Sequence, residues 1–345
     1  MFLELNTNSP LRSLSISSVA KKYDILEFIQ RVIDKKVSYL GRYCSLGAQK
    51  RESKKETFCS DPSSSGGFIL FSEFHKPSSV QEAVSLRNRL GLSAYLGGGT
   101  ILNTLTYAKE VPEEEQAKAL ISLSALGLNT IELTDSELII GAGVTHQELL
   151  ESDKVFPALK EAAAYMVNRN IRNMATVGGN IALRGSTCNL ASMLLALDAK
   201  VELMKADGST LVVDIAEYNE NGDPKDLILN VRISSEMGAR KFASRRYVRT
   251  QNDISILAAY AVVKGESDKI EDVRLVMGGV AAHPVRLTEI EKNLKGASLP
   301  ERDVLVKQIR PLLNPIADIR GGVAFKQEVG AQIAAWTVYK AFGQL

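Results

Sequence analysis

Two glycine-rich loops constrain this chain more than any other feature. SAYLGGGTILNTL (93–105) is a short apolar segment that ends in Gly97-Gly98-Gly99-Thr100, and ATVGGNIALRGSTCNLASMLLALDA (175–199) sets Gly178 and Gly179 behind Thr176 before an apolar helical run. Glycine permits positive φ and carries no Cβ, so successive backbone N–H groups in such a loop can point into one concavity and receive an anion. The same pattern also serves as a plain turn feeding a core helix. The first loop adds the hydroxyl of Thr100, and a helix beginning after it would direct its positive end at a bound phosphate. Neither loop reads GxGxxG and no acidic residue follows at the spacing of a dinucleotide-binding Rossmann unit, so that arrangement is excluded.

The segments around the loops read as strands and helices in irregular alternation, which points to an α+β fold without repeats. FILFSEF (68–74), ALISLSAL (119–126), the pair within TIELTDSELIIGAG (130–143) and the hairpin AKVELMKADGSTLVVD (199–214), with Asp207-Gly208 at its tip, have strand character. Ser78 or Ser79 caps a helix in SSVQEAVSLRNRL, and HQELLES, FPALKEAAAYMV and LASMLLAL continue the helical set. Residues 1–65 form an extension of no assigned role, with helical spacing from Ile25 to Ile33 and a Ser/Gly-rich linker at 61–67. A boundary near 236 separates a domain at 66–236 from a smaller one at 237–345.

Composition narrows the chemistry. With 42 basic and 40 acidic residues the net charge is +2, and no block of like charges suggests a nucleic-acid arm. No apolar run reaches the roughly 20 residues of a bilayer crossing, and the start MFLELNTNSP lacks a secretory pattern, so a cytoplasmic protein is expected. Cys44, Cys59 and Cys188 are too few and too far apart for a disulfide framework, and with three histidines there is no set of protein ligands for a metal or iron–sulfur centre. Any redox chemistry must then come from an organic cofactor. His146 reads as a surface helix start, His283 as a turn residue before Pro284, and the basic run Arg240, Lys241, Arg245, Arg246 and Arg249 as either a solvated strand or a neutraliser of cofactor phosphate.

Four segments in order carry a family resemblance: YLGGGTILN, LGLNTIELTDSELIIGAGVTHQEL, ATVGGNIA followed by LLALDA, and VMGGVAAHPVRLTEIEKNLKG. Over residues 66–345 the chain resembles the flavin-binding (medium) subunit of the molybdenum hydroxylases, the family of xanthine dehydrogenase and carbon monoxide dehydrogenase. The resemblance implies a two-part FAD-binding domain of the vanillyl-alcohol-oxidase (PCMH) type, followed by a smaller α+β domain of the CO dehydrogenase flavoprotein type. It places Gly97, Gly98, Gly99, Thr100, Ile101, Leu102, Ala175, Thr176, Gly178, Gly179 and Asn180 around the FAD pyrophosphate, with Thr100, Thr176 and Asn180 as side-chain donors. By position it also brings Met166 near the ring, Ile228 near the adenine or flavin, Arg245 to the place of a flavin-side lysine, and Asp253 and Ile254 to a loop that approaches the isoalloxazine. Two departures stand out: Ile101 replaces an acidic residue, and RGSTCN replaces a Ser-Pro…Asp stretch, with Asn189 in the aspartate position as a ribose acceptor and helix cap. The implied function is electron transfer from a 2Fe-2S subunit and a molybdenum-cofactor subunit through FAD to NAD or another acceptor. Two other readings remain: a stand-alone reductase, since YLGGGTILN also resembles the loop of UDP-N-acetylenolpyruvoylglucosamine reductase, and a flavin-poor scaffold subunit.

Overall fold

A computed structural model describes residues 71–104, 115–166 and 168–345. The 1–65 extension, its helical stretch, the 61–67 linker and the start of FILFSEF lie outside the described residues. The first unit is a parallel sheet: β1 (Glu73–His75), α1 (Val80–Arg89), β2 (Ser93–Leu96) and β3 (Ala119–Ser122), in the order β1-β3-β2. Ser79 caps α1, its hydroxyl accepting the Glu82 N–H at 3.2 Å while the Glu82 carboxylate accepts the Ser78 N–H at 2.8 Å. Ala83, Val84 and Leu86 turn inward and pack with Ile121 of β3. The first glycine loop therefore leaves the carboxyl end of a parallel strand, where sheets of this kind hold their ligands.

A five-stranded antiparallel sheet follows, with β4 (Ile131–Leu133) and β5 (Glu137–Gly141) forming the pair expected within TIELTDSELIIGAG. The chain then passes through α2 (His146–Glu151), α3 (Pro157–Ala164), α4 (Arg169–Arg172), α5 (Val177–Ala182) and α6 (Asn189–Ala196). It returns as the β6 (Lys200–Met204) and β7 (Thr210–Asp214) hairpin, α7 (Ile215–Asn221) and β8 (Leu227–Ser234), giving the order β4-β5-β8-β6-β7. α2 starts from a capping box in which Thr145 and Glu148 satisfy each other's amides. Leu190, Met193, Leu194 and Leu195 make α6 an almost wholly buried helix against this sheet.

Beyond α8 (Ser235–Gly238) the third sheet is β9 (Lys241–Tyr247), β10 (Leu257–Glu266), β11 (Lys269–Gly278) and β12 (Val285–Arg286), antiparallel in the order β12-β11-β10-β9. α9 (Thr288–Leu294), α10 (Arg302–Ile309) and the 19-residue α11 (Val323–Ala341) close the chain. Both faces of this sheet are covered, which is why β10 reads LAAYAVV with no polar alternation. Ala258, Tyr260 and Val262 join the core shared with α3 and α6, while Leu257, Ala259, Ala261 and Val263 pack toward the C-terminal helices. The Asp198 carboxylate, after α6, fastens the sheets together by accepting from Arg274 Nε at 2.8 Å and Arg286 Nη1 at 2.7 Å. Among the described residues no helix is long and apolar enough to cross a membrane.

Candidate functional site

The two glycine loops meet. A Cβ on Gly97 would lie 2.7 Å from Thr176 Oγ1, and one on Gly98 would lie 1.7 Å from the Met174 carbonyl oxygen. Glycine is thus required in the first loop because the second runs against it. Gly99 turns the chain at φ +66, where side chains other than glycine are strained. Among the described residues none of the N–H groups from Gly97 to Leu102 has a protein acceptor. Only the Asn103 and Thr104 amides close turns, onto Gly99 and Ile101. Among the described residues no helix begins at Thr100: residues 100–103 are turns, so the helix dipole expected there is not formed by the described residues. The anion-binding capacity rests on the amide row itself.

The second loop differs from the expected twin nest. Val177 N–H donates to Val144 (2.8 Å), Gly178 N–H to Ala142 (2.8 Å), Gly179 N–H to Thr176 Oγ1 (3.1 Å) and Asn180 N–H to Thr176 (3.0 Å). Asn180 Oδ1 accepts from the Ala191 amide at 3.1 Å and so holds α6 against α5. Gly178 is there for closeness, since its Cβ would stand 2.7 Å from that of Ala142. What the loop keeps to offer is the Thr176 N–H, which has no acceptor among the described residues, together with the Thr176 hydroxyl proton and the Asn180 amide nitrogen. Ala175 anchors it, its carbonyl accepting from both the N–H (3.0 Å) and Nδ1 (2.9 Å) of His146.

His146 is therefore not a surface residue: it is 1% exposed and its Nε2 has no partner. Burial pushes its pKa below the usual imidazole value. Because the folded pKa is depressed, the stability it supports is complete above the unfolded value of about 6.5 and is lost as pH falls through the folded one. Urea midpoints at pH 7.5 and 5.0 are expected to fall further in the wild type than in His146→Gln; parallel profiles would contradict this.

The RGSTCN loop is gripped by the third sheet. His283 Nδ1 donates to the Arg184 carbonyl (2.6 Å) and Gly279 N–H to the Ser186 carbonyl (3.0 Å), so His283, in the bend between β11 and β12 as expected, is also a clamp. Asn189 does not cap α6; the cap is Cys188, without a side-chain bond. Instead Asn189 Oδ1 accepts from Ser255 Oγ (3.0 Å) and Tyr260 OH (2.7 Å), which fills both its lone pairs and leaves only its NH₂ for a ligand. The expectation of a ribose acceptor is corrected accordingly. Burial pushes the Cys188 thiol up to about 11, keeping it protonated and inert.

Three further candidates lie on other elements. Ile228 is a core side chain of β8, in the same buried cluster as Val177 and Ile181 of α5. Met166 ends α3 beside Tyr165, its carbonyl accepting from Arg172 Nη1 at 3.1 Å. In β9 Ala243 packs toward the C-terminal helices and Phe242 toward the first core, so strand alternation puts Arg245 on the side of the C-terminal helices. Its guanidinium stacks 4.2 Å above the Trp336 ring of α11. Arg246 occupies the opposite face, 4.3 Å above Tyr165.

The cradle fits a dinucleotide diphosphate: the residues 97–102 and 175–180 contain no ionisable side chain, only amides, hydroxyls and one carboxamide. Ile101, Met174, Leu183 and Ile254 remain exposed in the loops named above, apolar surface suited to a flat ring.

Residues 70–234 match the model of the FAD binding domain in molybdopterin dehydrogenase, and residues 242–341 that of the CO dehydrogenase flavoprotein C-terminal domain. Uncharacterized protein YgfM of Escherichia coli K12 is 31% identical over 268 residues, covering 77% of this chain and 95% of that protein. The chain belongs to the FAD-binding subunits of the molybdopterin dehydrogenases. The carbon monoxide dehydrogenase medium chain of Afipia carboxidovorans is 25% identical over 78% of this chain and 96% of its own length. The xanthine dehydrogenase FAD-binding subunit of Escherichia coli O157:H7 is 25% identical over 66% and 81%. A solved carbon monoxide dehydrogenase from Hydrogenophaga pseudoflava shares the fold, with a TM-score of 0.72 and 22% identity over 80% of this chain and 99% of that one. This FAD-binding subunit thus has the two-part α+β architecture of its family. The C-terminal match gives no support to the stand-alone reductase reading.

Sequence reasoning missed His146, Ser255, Tyr260, Gly279 and His283 as residues that position the loops of the subunit. The GGVAAHP motif signalled the last two, but its target, 93 residues earlier for Gly279, is visible only in three dimensions.

Proposed function

We propose that this subunit carries electrons within a molybdenum hydroxylase complex in the cytoplasm, with a 2Fe-2S subunit and a molybdenum-cofactor subunit as partners. Bound FAD would supply the chemistry, taking electrons from the partner's iron–sulfur centre and delivering them to NAD or another acceptor. The chain's own residues bind and orient. The amides of Gly97 to Leu102, with Thr100 and Thr176, would receive the diphosphate, and the exposed Ile101, Met174, Leu183 and Ile254 would shield the ring from water. Substrate hydroxylation is assigned to the partner.

The observation that carries this reading is the row of amides without acceptors among the described residues, packed against Thr176, in a chain whose relatives include dehydrogenase medium chains. Co-expression with the partner subunits, followed by anaerobic addition of the complex's substrate, tests it. Loss of flavin absorbance near about 450 nm is expected, with recovery on adding the acceptor. A flavin that stays oxidised while the molybdenum subunit turns over would contradict it.

A further inference from the structure

β7 (Thr210–Asp214) is the outer strand of the five-stranded sheet, paired with β6 on one side and with no strand on the other among the described residues. Its phase fixes which main-chain groups face outward. The ladder is bracketed by Lys205 N–H on the Ser209 carbonyl (2.8 Å) and Ile215 N–H on the Ala199 carbonyl (3.0 Å), and bonded pairs alternate along an antiparallel pair. Leu211 and Val213 therefore bond to Leu203 and Val201 of β6. The N–H groups of Val212 and Asp214 and the carbonyls of Thr210 and Val212 point away from β6, and none of them has a partner among the described residues.

An open edge of this kind is normally blunted by charge, proline, a bulge or shortness. Edges elsewhere in the chain follow that rule: β4 has three residues with Glu132 among them, β9 carries Lys241, Arg245 and Arg246, and β12 has two residues. β7 does not. Thr210–Val213 holds neither charge nor proline, and Leu211 and Val212 are 45% and 47% exposed.

The strand reads Thr-Leu-Val-Val-Asp, which is self-complementary about its centre. A two-fold axis at Val212 sets that residue against its own copy, Leu211 against Val213 of the second chain, and Thr210 against Asp214 of the second chain. The outward groups then match: the two Val212 residues exchange N–H and carbonyl, and each Asp214 N–H meets a Thr210 carbonyl. No like charges stand opposite one another. The Thr210 hydroxyl and the Asp214 carboxylate, which have no hydrogen-bond partner among the described residues, become donor and acceptor across the axis. The ladder stops where α7 begins at Ile215 and where the hairpin turns at Asp207-Gly208. We propose that β7 is the contact edge of a symmetric homodimer, in which two copies of this chain join their five-stranded sheets through antiparallel β7 strands.

Sedimentation velocity of the FAD-loaded full chain from about 1 to 100 μM tests this, with a monomer–dimer dissociation constant near about 10 μM expected. Val212→Lys sets two ammonium groups opposite each other and should weaken the dimer at least about tenfold, whereas Leu133→Lys on β4 should not. Register is tested separately, because directly opposed residues of a bonded antiparallel pair lie about 5.5 Å apart at Cα, within disulfide reach. In a chain carrying Cys44→Ser and Cys59→Ser, Val212→Cys should form a covalent dimer when oxidised glutathione takes up the two thiol electrons. Thr210→Cys, which faces Asp214 of the other copy and not itself, should remain uncrosslinked. Flavin content confirms that each variant is folded. A wild-type chain that stays monomeric overturns the proposal: fast hydrogen exchange at the Val212 amide would then show an open edge, and slow exchange an edge covered by something other than a second copy. A dimer that Val212→Lys leaves intact, or covalent dimers from both cysteine variants alike or from neither, would overturn it as well.

Discussion

Gly98→Ala is expected to yield a chain that has lost its flavin, with less than about a tenth of the wild-type FAD retained and a melting temperature lower by roughly 5–10 °C. The added Cβ would sit 1.7 Å from the Met174 oxygen and 2.4 Å from its carbonyl carbon. Both belong to backbone, and no rotamer change relieves the contact. Separating the loops enough to admit a methyl group costs about 3 kcal/mol by the usual scale of overpacking. It also moves the amide row away from Thr176. Gly322→Ala, where a Cβ meets nothing within 4 Å, should leave both quantities unchanged. The ratio of flavin to protein absorbance and a thermal melt check the pair, and full flavin content in Gly98→Ala would refute the assigned role of the loop contact.

Gly279→Ala tests the clamp from the other side. Gly279 adopts φ +82, its Cβ would lie 2.2 Å from the Ile256 oxygen, and its N–H holds the Ser186 carbonyl. Left-handed strain of about 1–2 kcal/mol adds to the steric clash, so a loss near 3 kcal/mol is expected. The functional consequence follows from the connection: once Ser186 is released, the 184–188 loop and Asn189 lose their register against Ser255 and Tyr260. FAD affinity should fall at least about tenfold, or 1.4 kcal/mol. Leu294→Ala is the comparison. It empties a buried site under α9, costs a similar 2–5 kcal/mol, and touches neither loop, so it should lower the melting temperature while sparing the affinity. Equal affinity losses in both variants would show that general destabilisation, and not the clamp, governs flavin binding.

Local signals made much of the architecture readable. The capping box Thr145-x-x-Glu148, the Asp207-Gly208 hairpin and the unbroken apolar run of β10 each encode their element within a few residues. The glycine loops were readable for the same reason, because a residue type chosen for its missing side chain marks the place. The site's finer chemistry depends on long-range pairing. Nothing near Gly178 in sequence shows that the amides of Val177 and Gly178 are engaged by Val144 and Ala142. Arg245 and Arg246 are adjacent, and only the register of β9 beside β10 decides which one stacks on Trp336 and which on Tyr165. Asn189 reads as a cap until Tyr260, 71 residues later, supplies the hydroxyl that occupies it. His146 sits one position inside a surface-like capping box, and Ala175, in the segment bridged to Thr145 at Thr176, lies against it.

The account stands on the diphosphate being the part of the cofactor that the two loops grasp. Equilibrium titration of the flavin-free chain with FAD and with riboflavin, followed by quenching of flavin fluorescence, measures that directly. FAD should bind at least about 100-fold more tightly, a difference of roughly 2.7 kcal/mol. Dissociation constants for the two flavins within about threefold of each other would mean that the amides of Gly97 to Leu102 do not hold the phosphates.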